Sequence, residues 1–106
     1  MSRDKGKVGE REVVALLKSY GFDARRGQQF KGTKDSPDVI SDMPLYIEVK
    51  RREQVNLYEA INKAAEEAPR EEEPIVFHRK NGKQWLITMN AEDFLASMRD
   101  YYDRSN

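Results

Sequence analysis

Apolar residues recur with a helical period in three separate segments of the chain. In the first, Val13, Leu16, Leu17 and Tyr20 stand at positions i, i+3, i+4 and i+7, and Gly21 follows as a stop signal. The second segment ends before a proline, and the third begins after an asparagine that can cap a helix. The pattern predicts helices over residues 8–20, 57–68 and 91–102.

Five shorter apolar segments predict β-strands, which cover residues 22–25, 38–41, 45–49, 75–78 and 85–89. The last two flank Asn81-Gly82, a strong signal for a hairpin turn. The third is apolar on both faces, as a buried central strand is. The predicted order is α-β-β-β-α-β-β-α, and we expect one α/β domain over residues 1–106, with a mixed β-sheet flanked by helices.

Composition favours a folded intracellular domain and excludes several kinds of site. Apolar residues make up 38% of the chain and charged residues 36%. No apolar run approaches the roughly 18 residues of a membrane-spanning helix, and the first residues do not lead into a signal-type apolar segment. The absence of cysteine excludes disulfides, thiolate metal sites and thiol catalysis. We therefore expect a cytoplasmic protein that does not contact membranes.

Charge is balanced over the whole chain but not along it. Residues 1–34 carry nine basic and four acidic side chains, a net of +5. Residues 35–48 carry four acids and no base, and residues 49–58 carry three bases and one acid. Basic segments flanking a short acidic one suit an anionic polymer lying across a cation site, although a surface of mixed charges would have the same totals.

Two charged side chains share one face of the third predicted strand. Glu48 and Lys50 do so because strand side chains alternate, and each needs a partner at the end of a buried strand. A structural salt bridge at the rim of the sheet would satisfy both. Asp38 opens the preceding strand, and a suitable hairpin register would place it beside Glu48, where two carboxylates create a site for a divalent cation.

Glu10 is a third candidate ligand on the first predicted helix. It lies about 60° from the centre of the apolar stripe, so its carboxylate can face inward, although an acid in a first helical turn is also favourable by itself. A cluster of carboxylates without histidine or cysteine favours Mg²⁺, with Mn²⁺ as a substitute. With Lys50 beside such an ion to stabilise developing charge, the residues predict metal-dependent hydrolysis of a phosphodiester.

These residues form a recognisable signature. Pro37-Asp38, then nine residues, then Glu48-Val49-Lys50 resembles the motif of the PD-(D/E)XK nucleases, which have the restriction-endonuclease-like fold. A second stretch is similar to the archaeal-type Holliday junction resolvases and their phage relatives, namely Lys5-Gly6-Lys7-Val8-Gly9-Glu10-Arg11 followed by Gly21-Phe22.

The resemblance implies a homodimeric, Mg²⁺-dependent endonuclease that makes paired symmetric nicks in four-way DNA junctions during recombination and repair. It implies that Glu10, Asp38 and Glu48 are metal ligands and that Lys50 is the catalytic lysine. Archaeal members carry a serine in the loop before the aspartate, for which Thr33 and Ser36 are both candidates. A flap or linear duplex as substrate, or a non-catalytic nucleic-acid-binding module of the same fold, are the alternatives.

The polar groups nearest to this site along the chain are the candidate DNA contacts. They are Arg25, Arg26, Gln28, Gln29, Lys31, Lys34, Arg51 and Arg52. A solvated loop is the alternative for those that precede Asp38. The apolar residues of the last helix, together with Trp85, exceed the needs of so small a core, and we expect some of them to form the homodimer contact.

Overall fold

The computed structural model describes residues 2–28 and 36–105, which form three helices and five strands in the predicted order. The elements are α1 (Ser2–Ser19), β1 (Ala24–Arg26), β2 (Val39–Ser41), β3 (Leu45–Arg51), α2 (Leu57–Glu67), β4 (Glu73–Arg79), β5 (Leu86–Thr88) and α3 (Ala91–Ser105). Four elements are longer than predicted: α1 begins ahead of residue 8, in a polar stretch without apolar periodicity, β3 and β4 continue through their charged ends, and α3 extends to Ser105.

The five strands form one mixed sheet in the order β1-β2-β3-β4-β5. Only β3 and β4 are parallel, and they pair over seven positions from Leu45 opposite Glu73 to Arg51 opposite Arg79. Parallel neighbours need a crossover connection, which α2 provides. The α/β mixed sheet expected from the sequence is thereby confirmed, and the carboxyl ends of β3 and β4 meet at one edge of it.

The core has two layers because α1 and α2 pack on opposite faces of the sheet. Along β4, Ile75 and Phe77 belong to the cluster with α1, whereas the intervening Val76 packs against α2. Val13 and Ile47 are fully buried within the α1 layer. The period of two along the central strands therefore decides which side chains can reach each helix.

Gly21 ends α1 in the way that the sequence predicts. Its φ angle is +89°, a left-handed conformation that glycine adopts without steric cost. The Phe22 amide donates to the Leu17 carbonyl at 3.1 Å and the Gly21 amide to the Lys18 carbonyl at 2.9 Å, which is the hydrogen-bond pair of a Schellman cap. The cap turns the chain towards β1.

The middle of α1 is held to the sheet by Glu12. Its carboxylate pairs with Arg79 at 3.1 Å and Arg51 at 3.3 Å, and it accepts a hydrogen bond from Nε1 of Trp85 at 3.2 Å. The Trp85 ring also packs edge-on against Phe77 and under the Arg79 guanidinium. Trp85 thus packs, partly buried, against the core cluster that contains Phe77.

No helix within residues 2–28 and 36–105 is both long enough and apolar enough to cross a membrane.

We predict that Glu12→Gln destabilises the protein by about 1–3 kcal/mol, because it leaves two largely buried guanidinium groups without their counter-charge. Urea unfolding measures the change in the free energy of unfolding. The same substitution at the exposed Glu71 is the control and should have little effect. Equal stability of the two variants would show that Glu12 does not hold α1 to the sheet.

Candidate active site

Asp38 lies beside Glu48 because of the register between β2 and β3. Val39 stands opposite Ile47, and the Asp38 amide donates to the Ile47 carbonyl at 3.0 Å. Beyond Ile47, the Val49 amide donates instead to Oδ2 of Asp38 at 2.8 Å. The aspartate side chain therefore satisfies a backbone donor of β3 that no residue of β2 reaches.

Gly27 fixes the other side of the Asp38 backbone. Its amide donates to the Asp38 carbonyl at 2.9 Å, and β1 comes so close at this point that a Cβ on residue 27 would clash with the Pro37 carbonyl oxygen. Only glycine permits this approach. Asp38 is thus held between the end of β1 and the centre of β3.

Glu48 is a buried carboxyl group on the central strand, with only 6% of its surface exposed. Burial raises its pKa to about 8, and a hydrogen bond from Glu48 to Asp38 and the charge of Asp38 act in the same direction. Two carboxyl groups in hydrogen-bond contact share a proton, since two bare carboxylates would repel each other. A divalent cation would take the place of that proton.

Lys50 follows two residues later on the same face of β3, as the alternation along the strand predicts. Glu48, Lys50 and Asp38 line one open pocket of about 650 Å³. Ser36, which precedes Asp38, lines it too, whereas the other candidate serine-like residue, Thr33, lies outside the described residues.

Glu10 lines the same pocket from α1, but its carboxylate already has a partner. Oε1 of Glu10 accepts a hydrogen bond from Nε of Arg26 at 2.9 Å. Burial raises the pKa of Glu10 above its usual range, the Arg26 hydrogen bond opposes that shift, and the negative charge of Asp38 adds to it. The carboxyl groups of Glu10, Asp38 and Glu48 thus line one pocket, and Glu10 is hydrogen-bonded to Arg26 of β1.

The acids do not amount to a preformed three-ligand centre. Among residues 2–28 and 36–105, no group of three or more His, Cys, Asp or Glu side chains is close enough to hold a metal ion. Asp38 and Glu48 are hydrogen-bonded to each other. As a donor set, this pair of oxygen ligands suits Mg²⁺ or Mn²⁺ better than Zn²⁺.

The candidate DNA contacts have different environments. Arg25 and Gln28 are exposed, and Arg52 is exposed and lines the pocket. Arg26 and Arg51 are instead paired with carboxylates of α1, at 2.9 Å and 3.3 Å respectively. Gln29, Lys31 and Lys34 lie outside the described residues.

Three further charged residues of the pocket come from α2 and escaped the sequence analysis. Lys63, Glu66 and Glu67 line the wall opposite α1, and the Glu67 carboxylate accepts a 3.4 Å hydrogen bond from the hydroxyl of Tyr46. Their spacing of i, i+3 and i+4 placed them on one helical face. That signal indicated a polar face, but not that this face borders the site.

His78 has a structural place rather than a catalytic one. Its Nε2 lies 2.9 Å from Oγ1 of Thr88, across the pairing of β4 with β5. Burial lowers the pKa of His78 below its usual range. The ring is therefore mainly neutral at pH 7 and joins two strands.

The mixed sheet, with Asp38, Glu48 and Lys50 lining one pocket, has the arrangement that the resemblance to the PD-(D/E)XK nucleases implies. A comparison with family models matches residues 1–101 to the archaeal Holliday junction resolvase family, Hjc. The chain belongs to this family and is a Holliday junction resolvase nuclease, and the substrate that the family implies is branched DNA.

Among solved structures, the protein is similar to Hjc of Archaeoglobus fulgidus, a Holliday junction resolvase from an archaeal hyperthermophile. The two are 21% identical, with a TM-score of 0.55, and the match covers 78% of this chain and 75% of the other. At this identity the likeness supports the fold. A search of curated protein sequences finds no match.

We predict that metal-free protein loses stability as the pH rises from about 4.5 to about 8, the interval between the ordinary and the raised pKa of Glu48. In that interval the folded state keeps a proton that the unfolded state releases, so the free energy of unfolding falls with pH. Denaturant unfolding in EDTA at several pH values measures this slope.

In Glu48→Gln this part of the slope should disappear. Glu66→Gln, an exposed acid of the same pocket, should keep the wild-type slope. Parallel profiles for wild type and Glu48→Gln would show that the buried carboxyl group does not resist ionisation.

Proposed function

We propose that the protein resolves four-way DNA junctions by hydrolysing phosphodiester bonds at the pocket of Asp38, Glu48 and Lys50, with Mg²⁺ as its cofactor and Mn²⁺ as a substitute. The observation that carries the proposal is the buried Glu48 carboxyl group bonded to Asp38 beside the lysine. A structural salt bridge would not need a second acid at the same place.

Asp38 and Glu48 would hold the ion, and Glu10 would support it from α1. The contact between the two carboxyl groups supports this assignment, because a divalent cation offsets both the burial and the repulsion that raise the pKa of Glu48. When bound, such an ion acts as a Lewis acid towards the phosphodiester.

The side chains of the protein supply orientation and charge. The Val49 amide holds Oδ2 of Asp38, which keeps the carboxylate aimed beside Glu48. Lys50 lines the pocket as a hydrogen-bond donor, and it would stabilise the negative charge that grows on the phosphate oxygens during attack by water. Arg26 would orient Glu10 through their hydrogen bond.

Exposed cations and amides that are close to Asp38 or Lys50 along the chain would bind the phosphate backbone. Arg25, Gln28 and Arg52 have the exposure that this role requires. Gln29, Lys31 and Lys34 remain predicted contacts from their position before Asp38. Arg51 would act indirectly, because its pairing with Glu12 directs it away from solvent.

We predict that Asp38→Asn lowers the rate of junction cleavage by at least about 100-fold while junction binding is retained. The asparagine keeps a carbonyl oxygen to accept the Val49 hydrogen bond but loses the negative charge needed for the metal. Single-turnover cleavage in Mg²⁺, with binding measured by gel shift, separates the two effects.

The matched control is Asp42→Asn, at an exposed position just after β2, which should cleave as wild type does. A four-way junction, a flap and a linear duplex are compared at equal Mg²⁺. Cleavage by Asp38→Asn at the wild-type rate would overturn the site, and equal cleavage of the three substrates would overturn junction selectivity.

We also propose that two copies of the chain associate through α3. None of the residues of this helix is buried, and its contact with the rest of the described chain is marginal. Its apolar side chains occupy one face in a heptad-like spacing, namely Phe94, Leu95, Met98, Tyr101 and Tyr102.

A second copy is the occupant that fits this face. One chain contributes one nuclease pocket of this kind, and paired symmetric nicks in a four-way junction need two pockets related by a two-fold axis. The edge strand β5, which precedes α3 in the chain, exposes a further apolar side chain, Ile87.

We predict that Leu95→Asp raises the dissociation constant of the dimer by about 10-fold or more, because a charge would be buried in an apolar contact. Sedimentation equilibrium measures the association. Ala96→Asp, on the exposed opposite face of α3, is the control and should associate as wild type does. A monomeric wild-type protein, or an unchanged dimer in Leu95→Asp, would overturn the interface.

A further inference from the structure

A second cleft, of about 780 Å³, lies beside the nuclease pocket. It is bounded by the segment that follows β3 and by the turn between β4 and β5. Val55, Leu57 and Leu86 contribute apolar surface, and the other eight lining residues are polar or charged. None of the residues that we assigned to metal binding or catalysis lines this cleft.

The parallel pairing of β3 with β4 explains why cations collect there. The register places Lys50 opposite His78 and Arg51 opposite Arg79, so the residues that leave both strands emerge at the same edge of the sheet. The next residues along the chain are Arg52 and Lys80. Two basic segments that are far apart in sequence are thereby brought side by side.

The charge of the cleft is available to a ligand. Arg52, Lys80 and Lys83 line it, all three are exposed, and none of them forms an ion pair within the described residues. The acid that lines the cleft, Glu53, already accepts a 2.7 Å hydrogen bond from the Asn81 amide. That bond also ties the turn to the segment after β3, which holds the two walls together.

The cleft adjoins the nuclease pocket at Arg52, which lines both. The two spaces differ in charge. The nuclease pocket is lined by five acids and three bases, whereas the cleft is lined by four lysines and arginines and one acid. A polyanion held by a metal at the first space would find favourable potential only on continuing into the second.

We propose that the cleft binds backbone phosphates of the cleaved DNA strand on one side of the scissile phosphate, with Lys80 and Lys83 as direct contacts and Arg52 as the link between the two spaces. This inference rests on the proposed nuclease site and extends it with the path of the strand. The cleaved DNA strand would run from the acidic nuclease pocket into the cleft, along the carboxyl edge of β3 and β4.

The experiment compares two double variants that each lose two positive charges. Lys80→Gln with Lys83→Gln removes charge from the cleft. The control, Lys18→Gln with Arg70→Gln, removes two positive charges from exposed residues that precede β1 and β4 in the chain. Both residues lie away from the carboxyl edge of β3 and β4. Both double variants are made in the Asp38→Asn background for binding to an intact junction, and in the wild-type background for kinetics.

We expect the cleft variant to bind the junction at least about 10-fold more weakly, with the slope of log affinity against log salt reduced by about 2. Its KM should rise while kcat at saturating junction stays within about twofold of wild type. The control variant should match wild type in the salt slope and in both kinetic constants. A cleft variant indistinguishable from the control would overturn the proposal.

Neutral methylphosphonates, placed one at a time near the scissile phosphate, locate the contact. On one side they should weaken binding by Asp38→Asn protein but have no further effect once Lys80 and Lys83 are replaced. An equal effect in both proteins would overturn the assignment. Failure of the proposed nuclease site is a distinguishable result. It would appear as junction cleavage by the Asp38→Asn protein, whatever the cleft variants do.

Discussion

The site depends on one hydrogen bond, from the Val49 amide of the central strand to the carboxylate of Asp38. β2 ends its pairing at Ile47, so the next stretch of β3 offers a backbone donor, on the side away from β4, that no residue of β2 reaches. A buried amide without a partner is costly. Because its carboxylate accepts this hydrogen bond, Asp38 becomes part of the sheet and lies against Glu48. Burial on β3 keeps the Glu48 carboxyl group protonated.

The α1 helix stabilises this edge from the other side through two acids with different tasks. Glu10 reaches the nuclease pocket and is held by Arg26 of β1. Glu12, two residues later and about 200° round the helix, holds the arginines at the ends of β3 and β4. The helix therefore links all the strands that carry site residues, and movement of α1 would disturb both the pocket and the parallel pair.

Much of the architecture could be predicted from local patterns. Apolar periodicity predicted the element order, and alternation placed Glu48 and Lys50 on one face. The register that sets Val39 opposite Ile47 could not be predicted, because a slip by one residue is locally almost equivalent yet reverses the faces of a strand. The pairing of Arg51 with Glu12 could not be predicted either. An arginine that binds a phosphate in solvent and an arginine paired with an acid on a distant helix look alike in sequence.

The sequence by itself determined which chemical groups were present and which elements would carry them: two acids and a lysine on neighbouring strands, with an acid on the first helix. Only the tertiary structure decided which of them met. Hydrophobic periodicity specifies how each segment buries its own apolar face, whereas ion pairs such as Glu10 with Arg26 join segments far apart in the chain. Their distances are set by the packing of the whole domain, which no local pattern encodes.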